Sequence, residues 1–274
     1  MEPVGDALFS KEEAVKCITP TGTLVCTLTS NGYKFYTLNL MRHLQELRVP
    51  WRLAVFCTDA ASATVLRREG IPCIRLQGAP RGLDAAATGP APFGSRQFQL
   101  MNRRKLDMLA GVAGLEQAKQ IIYIDGDIAV YRDFVPDIEA RLAAAPDTVH
   151  MQCDESTRVD CSGTACPNRC TGFFAWSREG TPAMRDVLRL GGAEAEAMWR
   201  ERPEDQPFVN KRLAAAGVPV LSLPRGLYPN GAYASMLKKG GIMREVAMLL
   251  HYNYLVGDAK KGKMRANGDW LLPY

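Results

Sequence analysis

Ile121-Ile122-Tyr123-Ile124-Asp125-Gly126-Asp127 is the most strand-like run in the chain, and it ends in two carboxylates. An apolar stretch of β-branched and aromatic residues without polar alternation suits a strand covered on both faces, as in a parallel α/β sheet. Period-two geometry projects Asp125 and Asp127 the same way, with Gly126 between them. Two like charges that close are costly unless something positive neutralises them. A hard divalent cation does so: Mg²⁺ or Mn²⁺ takes carboxylate oxygens and shares its other positions with substrate phosphates. The carboxyl end of a central strand is also where open α/β sheets bind ligands. An acidic strand-to-turn corner has the same composition, so the motif alone does not decide.

Upstream, strands and helices alternate. Gly22 to Leu28 reads as a strand, broken by Thr29-Ser30-Asn31-Gly32. Tyr36, Leu40, Leu44 and Leu47 then recur at helical spacing, with His43 on the same face. Trp51 to Cys57 is a second strand ending at Thr58-Asp59, a short helix runs to Gly70, and Cys73 to Leu76 is a third strand. Gln77 to Ser95 is rich in Gly, Pro and Ala without a period, which marks a functional loop or a surface insertion. A helix from about Phe98 to Ala110 carries Arg103, Arg104 and Lys105. Downstream, Val149–Gln152, Gly172–Trp176 and Val218–Leu223 read as strands. Thr181-Pro182 reads as a helix N-cap with proline behind it, and Asp205-Gln206-Pro207 opens a helix that stops at Gly217. With no internal repeat and no linker, the expectation is one α/β domain: a mostly parallel sheet flanked by helices, with an irregular C-terminal third.

At 274 residues and 47% hydrophobic content, one sizeable core is possible. The net charge of +5 is spread along the chain, which argues against nucleic acid as a partner. The N-terminus has neither a basic n-region nor an apolar core, and no apolar run approaches the roughly 20 residues of a membrane span. A cytoplasmic location is therefore expected, or a Golgi-lumenal one if a stem has been trimmed away. Cys17, Cys26, Cys57 and Cys73 read as small core residues. Cys153, Cys161, Cys166 and Cys170 are clustered, without the spacing of paired zinc hooks, and leave zinc, disulfides and free thiols open.

A third metal ligand is available at His251, which closes the apolar run Val246 to Leu250. An imidazole beside two carboxylates favours Mn²⁺ somewhat over Mg²⁺; a hydrogen-bonded core histidine is the plainer alternative. Gly257, Lys260 and Lys261 follow, and suit close backbone approach and charge neutralisation at a diphosphate, or else form an ordinary solvated turn.

Taken in order, these segments resemble the nucleotide-diphospho-sugar transferase family, glycosyltransferase family 77, retaining enzymes of the GT-A fold. The resemblance rests on Leu28 to Tyr33, Tyr123 to Ile128, Gln152-Cys153-Asp154-Glu155, Cys170-Thr171-Gly172-Phe173, Glu204-Asp205-Gln206, and His251-Tyr252-Asn253 with Gly257. It implies a single GT-A (Rossmann-like) domain over residues 1–274, with a nucleotide-binding half at about 22–135 and a donor-sugar and acceptor half at about 148–274. It further implies that Asp125, Asp127 and His251 hold Mn²⁺ (or Mg²⁺) against the diphosphate of a UDP-sugar, with Gly257 and Lys260 beside it. Thr29, Ser30, Asn31 and Tyr33 would contact the uridine, Asp59 would face the nucleotide or only cap a helix, and Lys105 or Arg104 would lie near donor phosphate or sugar. Asp154 and Asp205 would bind sugar hydroxyls, and Gln206 would lie under the anomeric carbon as the catalytic group. The transferred sugar is of the galactose, xylose or arabinose class and the acceptor a hydroxyl of a glycan, glycoprotein or small molecule. The Gln77–Ser95 loop and the C-terminal third are the expected acceptor surfaces.

Other readings compete. A glycogenin-like family 8 enzyme shares the logic, but its His-x-x-Gly-x-x-Lys spacing fails because position 254 is Tyr. A haloacid dehalogenase-type phosphotransferase also carries Asp-x-Asp after a strand, but wants Thr or Val where this chain has Ala129. A nucleotidyltransferase lacks its Gly-rich phosphate loop here. A non-catalytic sugar-nucleotide-binding protein would not need Asp125, Asp127, Gln206 and His251 together.

Overall fold

Residues 121–124 lie in the central strand of a seven-stranded sheet in the computed structural model, which describes residues 8–78, 89–155, 166, 168–236 and 244–273. The elements follow as α1 (Lys11–Val15), β1 (Thr23–Thr29), α2 (Lys34–Glu46), β2 (Leu53–Cys57), α3 (Ala60–Arg68), β3 (Cys73–Arg75), α4 (Arg96–Ala113) and β4 (Gln120–Ile124). Then come β5 (Ile128–Val130), α5 (Val135–Ala144), β6 (Val149–Cys153), β7 (Arg169–Ser177), α6 (Met184–Leu188), α7 (Ala193–Glu201) and α8 (Asp205–Ala215). The last are β8 (Val220–Ser222), α9 (Gly231–Met236), β9 (Leu249–His251) and α10 (Gly257–Ala266). The sheet order is β3-β2-β1-β4-β7-β6-β8, and every strand but β7 runs parallel. This is the mostly parallel α/β sheet expected from the sequence.

Alternation along the strands divides the core between two faces. Val25, Ile122, Ile124 and Phe173 pack with Tyr36 and Leu40 of α2 on one side. Leu24, Cys26, Ile121, Tyr123 and Phe174 pack with Leu106 and Leu109 of α4 on the other. Both faces are dry, which is why β4 reads as an apolar run and β1 as a run of apolar residues and threonines without charge. Helix α4 extends beyond the predicted Phe98–Ala110 because Ser95 caps it, accepting from the Phe98 amide at 3.2 Å.

Two local expectations are corrected. Asp125 and Asp127 do not sit within a strand: β4 stops at Ile124, and the pair occupies the turn into β5, which leaves the main sheet and pairs with β9. The carboxylates converge because the chain changes sheets, not through period-two alternation. Thr181 does not cap a helix either. Its hydroxyl donates back to the Ser177 carbonyl at 2.5 Å, and α6 starts only at Met184. Of the four cysteines read as core residues, Cys17 is only half-buried.

Candidate active site

Pairing of β5 with β9 sets Ile128 opposite His251, and the Tyr252 amide donates to the Asp127 carbonyl at 3.2 Å. Asp125 is fixed from the other side, its amide donating to the Gly172 carbonyl of β7 at 2.7 Å. One ligand atom from each of Asp125, Asp127 and His251 lies within 4.8 Å of the other two. Each carboxylate turns one oxygen toward the imidazole: Nε2 is 3.8 Å from Asp125 Oδ2 and 3.3 Å from Asp127 Oδ1.

The remaining oxygens are held from outside. Asp125 Oδ1 accepts from the Tyr123 hydroxyl at 2.6 Å and lies 3.3 Å from Lys105 Nζ, while Asp127 Oδ2 is paired with Lys260. Burial pushes the Asp127 carboxyl up, but the Lys260 ammonium and His251 outweigh it and hold it well below the usual range. For Asp125, burial and the charge of Asp127 win over Lys105, and its carboxyl is raised. An asymmetric pair of this kind is what two close carboxylates settle into without a shared cation.

The tautomer of His251 tests whether the trio fits a metal. Gln152, buried in β6, donates through Nε2 to the carbonyls of Tyr228 and Pro229 at 3.1 and 3.0 Å. Its Oε1 is therefore the end that meets His251 Nδ1 at 2.8 Å, so Nδ1 carries the proton and Nε2 presents a lone pair to two carboxylates. With the ring neutral, three acceptors face one another, a conflict that either a proton on Nε2 or a divalent cation between them relieves. The residues fit a hard or borderline divalent ion, and Gln152 is the outer partner that orients the histidine.

The predicted nucleotide contacts separate. Ser30, Asn31, Tyr33 and Asp59 line one cavity at the carboxyl ends of β1 and β2, together with Gln97 and Met101 of α4. Thr29 does not line it. It is fully buried, its hydroxyl accepting from Thr37 at 2.9 Å, and it braces α2. Tyr33 lies in the field of this trio, its hydroxyl pushed up by burial and then by the charges of Asp127 and Asp125. Asp59 has both oxygens engaged: Oδ1 caps α3 through the Ser62 amide at 2.7 Å, and Oδ2 accepts from the Asn31 amide at 2.8 Å. It acts on the cavity by tying down Asn31. Asp59→Ala should cost about 2 kcal/mol, one cap plus one orphaned buried amide, read by urea denaturation. UDP affinity by calorimetry should fall while Mn²⁺ affinity holds; unchanged UDP binding would detach this loop from the nucleotide.

Lys105 is buried where α4 crosses β4 and α8, 2.8 Å from Asp205 Oδ2, and its ammonium lies 4.4 Å from the Tyr123 ring centroid. Burial works against its charge, but Asp125 and Asp205 more than offset that. Asp205 also accepts from the Thr171 hydroxyl at 2.8 Å. Arg104, the neighbouring candidate, points away and donates to the Gln77 carbonyl. Gln206, next to Asp205 at the start of α8, donates to Asp154 at 2.8 Å. Gly257 opens α10 at φ +57°, its carbonyl accepting from Tyr36 at 3.0 Å, and the first turn carries Lys260 to Asp127.

The cysteine cluster divides. Cys153 and Cys166 meet Sγ to Sγ at 2.6 Å, Cys170 lies 3.6 Å from His251 Nδ1, and Cys161 is outside the described residues. Among the described residues the one cluster suited to a metal is Asp125, Asp127 and His251, and Cys153, Cys166 and Cys170 form none.

Sequence reasoning assigned no role to Gln152, Tyr123, Gly172, Asn230 or Asn253. All but Asn230 stand inside the quoted motifs or one residue from a named ligand, which is the signal that could have found them.

The sequence profile of the nucleotide-diphospho-sugar transferase family matches residues 51–265, well over half of the chain. No curated protein matches it by sequence. Among solved structures, the galactosyltransferase LgtC in complex with donor and acceptor sugar analogues is similar at 14% identity and a TM-score of 0.52, over 83% of this chain and 86% of that one. Mouse xyloside xylosyltransferase 1 is similar at 12% identity and 0.52, over 84% and 97%. The bifunctional glycosyltransferase WbbM aligns at 12% identity and 0.53, over 92% of this chain and 47% of its own. These likenesses carry the fold, a GT-A α/β sheet, and the profile carries the family: the chain belongs to the nucleotide-diphospho-sugar transferases.

Proposed function

We infer that the chain is a metal-dependent, retaining glycosyltransferase that moves a sugar from a UDP-sugar to a hydroxyl of a glycan, glycoprotein or small acceptor. One observation carries this reading: Asp125, Asp127 and His251 converge at the carboxyl edge of the sheet, beside the cavity lined by Ser30 and Asn31. The dehalogenase-type alternative falls with the family assignment.

Mn²⁺ or Mg²⁺ held by the trio would neutralise the donor diphosphate and the charge that grows on it as the glycosidic bond breaks. Lys260, brought to Asp127 by the first turn of α10, supplies further positive charge at the same edge. On the other side, Lys105 joins Asp125 to Asp205, and Asp205 is followed by Gln206. Gln206 would face the anomeric carbon and support its positive charge through the amide oxygen. An amide is too weak a nucleophile for a stable adduct, so retention would come from front-face attack, the departing phosphate oxygen taking the acceptor proton. The acceptor would dock at the Gln77–Ser95 loop, of which 79–88 lie outside the described residues, and at the C-terminal third. No described helix is long and apolar enough to cross a membrane.

A panel of UDP- and GDP-sugars, each with Mn²⁺, Mg²⁺ or chelator, tests the reading. UDP release should appear with metal and vanish in chelator, and proton NMR should find the released sugar in the donor's anomeric configuration. Hydrolysis undiminished by chelator would remove the metal, and an inverted product would remove the retaining mechanism.

A further inference from the structure

Asp154 stands just past β6 with its carboxylate enclosed by amides. Oδ1 accepts from Asn230 Nδ2 and Asn253 Nδ2, both at 2.7 Å, and Oδ2 accepts from Gln206 Nε2 at 2.8 Å. The second proton of Gln206 Nε2 goes to Asn168 Oδ1 at 2.9 Å. The directions of these bonds are forced. A carboxylate only accepts and a backbone amide only donates. Asn230 Oδ1 is fixed by the Tyr233 amide at 2.9 Å and Asn253 Oδ1 by the Gly231 amide at 3.2 Å, so both turn NH₂ groups to Asp154. Asn168 donates through Nδ2 to the Asp154 carbonyl at 3.2 Å, so its Oδ1 is the end that faces Gln206. The amide of Gln206 therefore has one orientation, with both protons spent. Its Oε1 takes no hydrogen bond from any described residue.

We propose that Asp154 and Asn168 are positioning residues that lock and polarise the Gln206 amide, presenting its oxygen to the sugar, and that Asp154 does not itself bind a sugar hydroxyl. The proposal rests on the reading of Gln206 given above. Its physical content is twofold. An amide with both protons held cannot flip, so its oxygen is preorganised for positive charge developing at the anomeric carbon. One of those protons lies on a carboxylate, which shifts electron density toward Oε1 and strengthens it as an acceptor. The amides of Asn230 and Asn253 compensate the buried carboxylate and keep it in place. In place of the sugar-contact role expected of it, Asp154 would act through its neighbour.

The first test needs no ligand. In ¹⁵N–¹H spectra of the whole protein, the side-chain pair lost in Gln206→Ala identifies Gln206. Both of its protons should lie downfield of free amides and exchange slowly, and one should return to the free position in Asp154→Ala. Two free-amide signals in the wild type would overturn the proposal. The second test is kinetic, reading UDP release from UDP-galactose, UDP-xylose and UDP-arabinose with Mn²⁺. Asp154→Asn should lower kcat by about 10- to 100-fold, the scale of a small misplacement, with the donor KM unchanged. Added to Gln206→Ala, it should cost nothing more. A raised KM, or losses that multiply in the double variant, would return Asp154 to the sugar and sink the proposal alone. If Asp154→Asn folds poorly, Asn168→Ala should give the same split with a smaller loss in kcat. Wild-type turnover in Gln206→Ala would instead remove the role of Gln206 itself.

Discussion

Asp127→Ala is expected to lower UDP release on the order of 10³-fold or more and, independently, to destabilise the metal-free protein. The first effect follows from losing one of three converging ligand atoms. The second follows from Lys260, whose partner Asp127 is and which is itself buried. Removing one member of a buried ion pair leaves an uncompensated charge and costs about 3–5 kcal/mol. The pH dependence has a definite sign. Burial opposes the Asp127 carboxylate, yet Lys260 and His251 hold its pKa below the ordinary value, so the pair stabilises the fold at neutral pH. That contribution is lost as pH falls through the depressed value. Urea denaturation of the metal-free wild type and of Asp127→Ala should therefore differ at pH 7 and converge in acid. Lys260→Met on the Asp127→Ala background should recover most of the stability and none of the turnover. Full turnover in Asp127→Ala with Mn²⁺ present would dissolve the metal reading.

The parts of this arrangement that the sequence makes legible are those governed by local rules. Strands β1, β2 and β4 announce themselves because both faces are dry, and Asp59 and Gly217 punctuate helices as short-range chemistry predicts. Asp125 and Asp127 stand out as two charges after an apolar run. What stays hidden is set by partners far along the chain. Nothing near Thr29 says that its hydroxyl turns to Thr37, away from the cavity. Nothing near Asp154 says that Asn230 and Asn253, 76 and 99 positions away, both donate to its Oδ1. The turn from β4 into β5 is likewise invisible until β9 arrives to pair with β5, and β9 is the element that carries His251. Residue types mark the ligands; the hydrogen-bond direction that gives each ligand its role comes only from the fold.

Gly172→Ala is expected to weaken metal binding sharply without removing any ligand. A methyl built on Gly172 would stand 2.1 Å from His251 Cε1, 2.6 Å from Asp125 Oδ2 and 2.9 Å from His251 Nε2. None of these atoms can yield cheaply. His251 is held through Nδ1 by Gln152, whose own amide is held by two backbone carbonyls. Asp125 is held by Tyr123 and Lys105, and its backbone amide is bonded to the Gly172 carbonyl. The glycine is therefore required for space: its φ is not in the left-handed region, and the methyl would fall inside the ligand trio. The pairing of β7 is already irregular here, Met151 of β6 facing Phe174 while Gln152 faces Cys170. Overpacking of this kind costs about 1–3 kcal/mol, which a sheet of this size should survive with its far-UV circular dichroism intact. Mn²⁺ affinity by calorimetry should fall by about 100-fold or more, the upper range for disturbing a ligand's supports, and UDP release should fall with it. Gly180→Ala gives the contrast. Its methyl would meet the Pro146 carbonyl oxygen at 1.7 Å, so it should lower stability while folded molecules keep their Mn²⁺ affinity. Wild-type Mn²⁺ binding in Gly172→Ala would mean that the metal does not sit between Asp125 and His251.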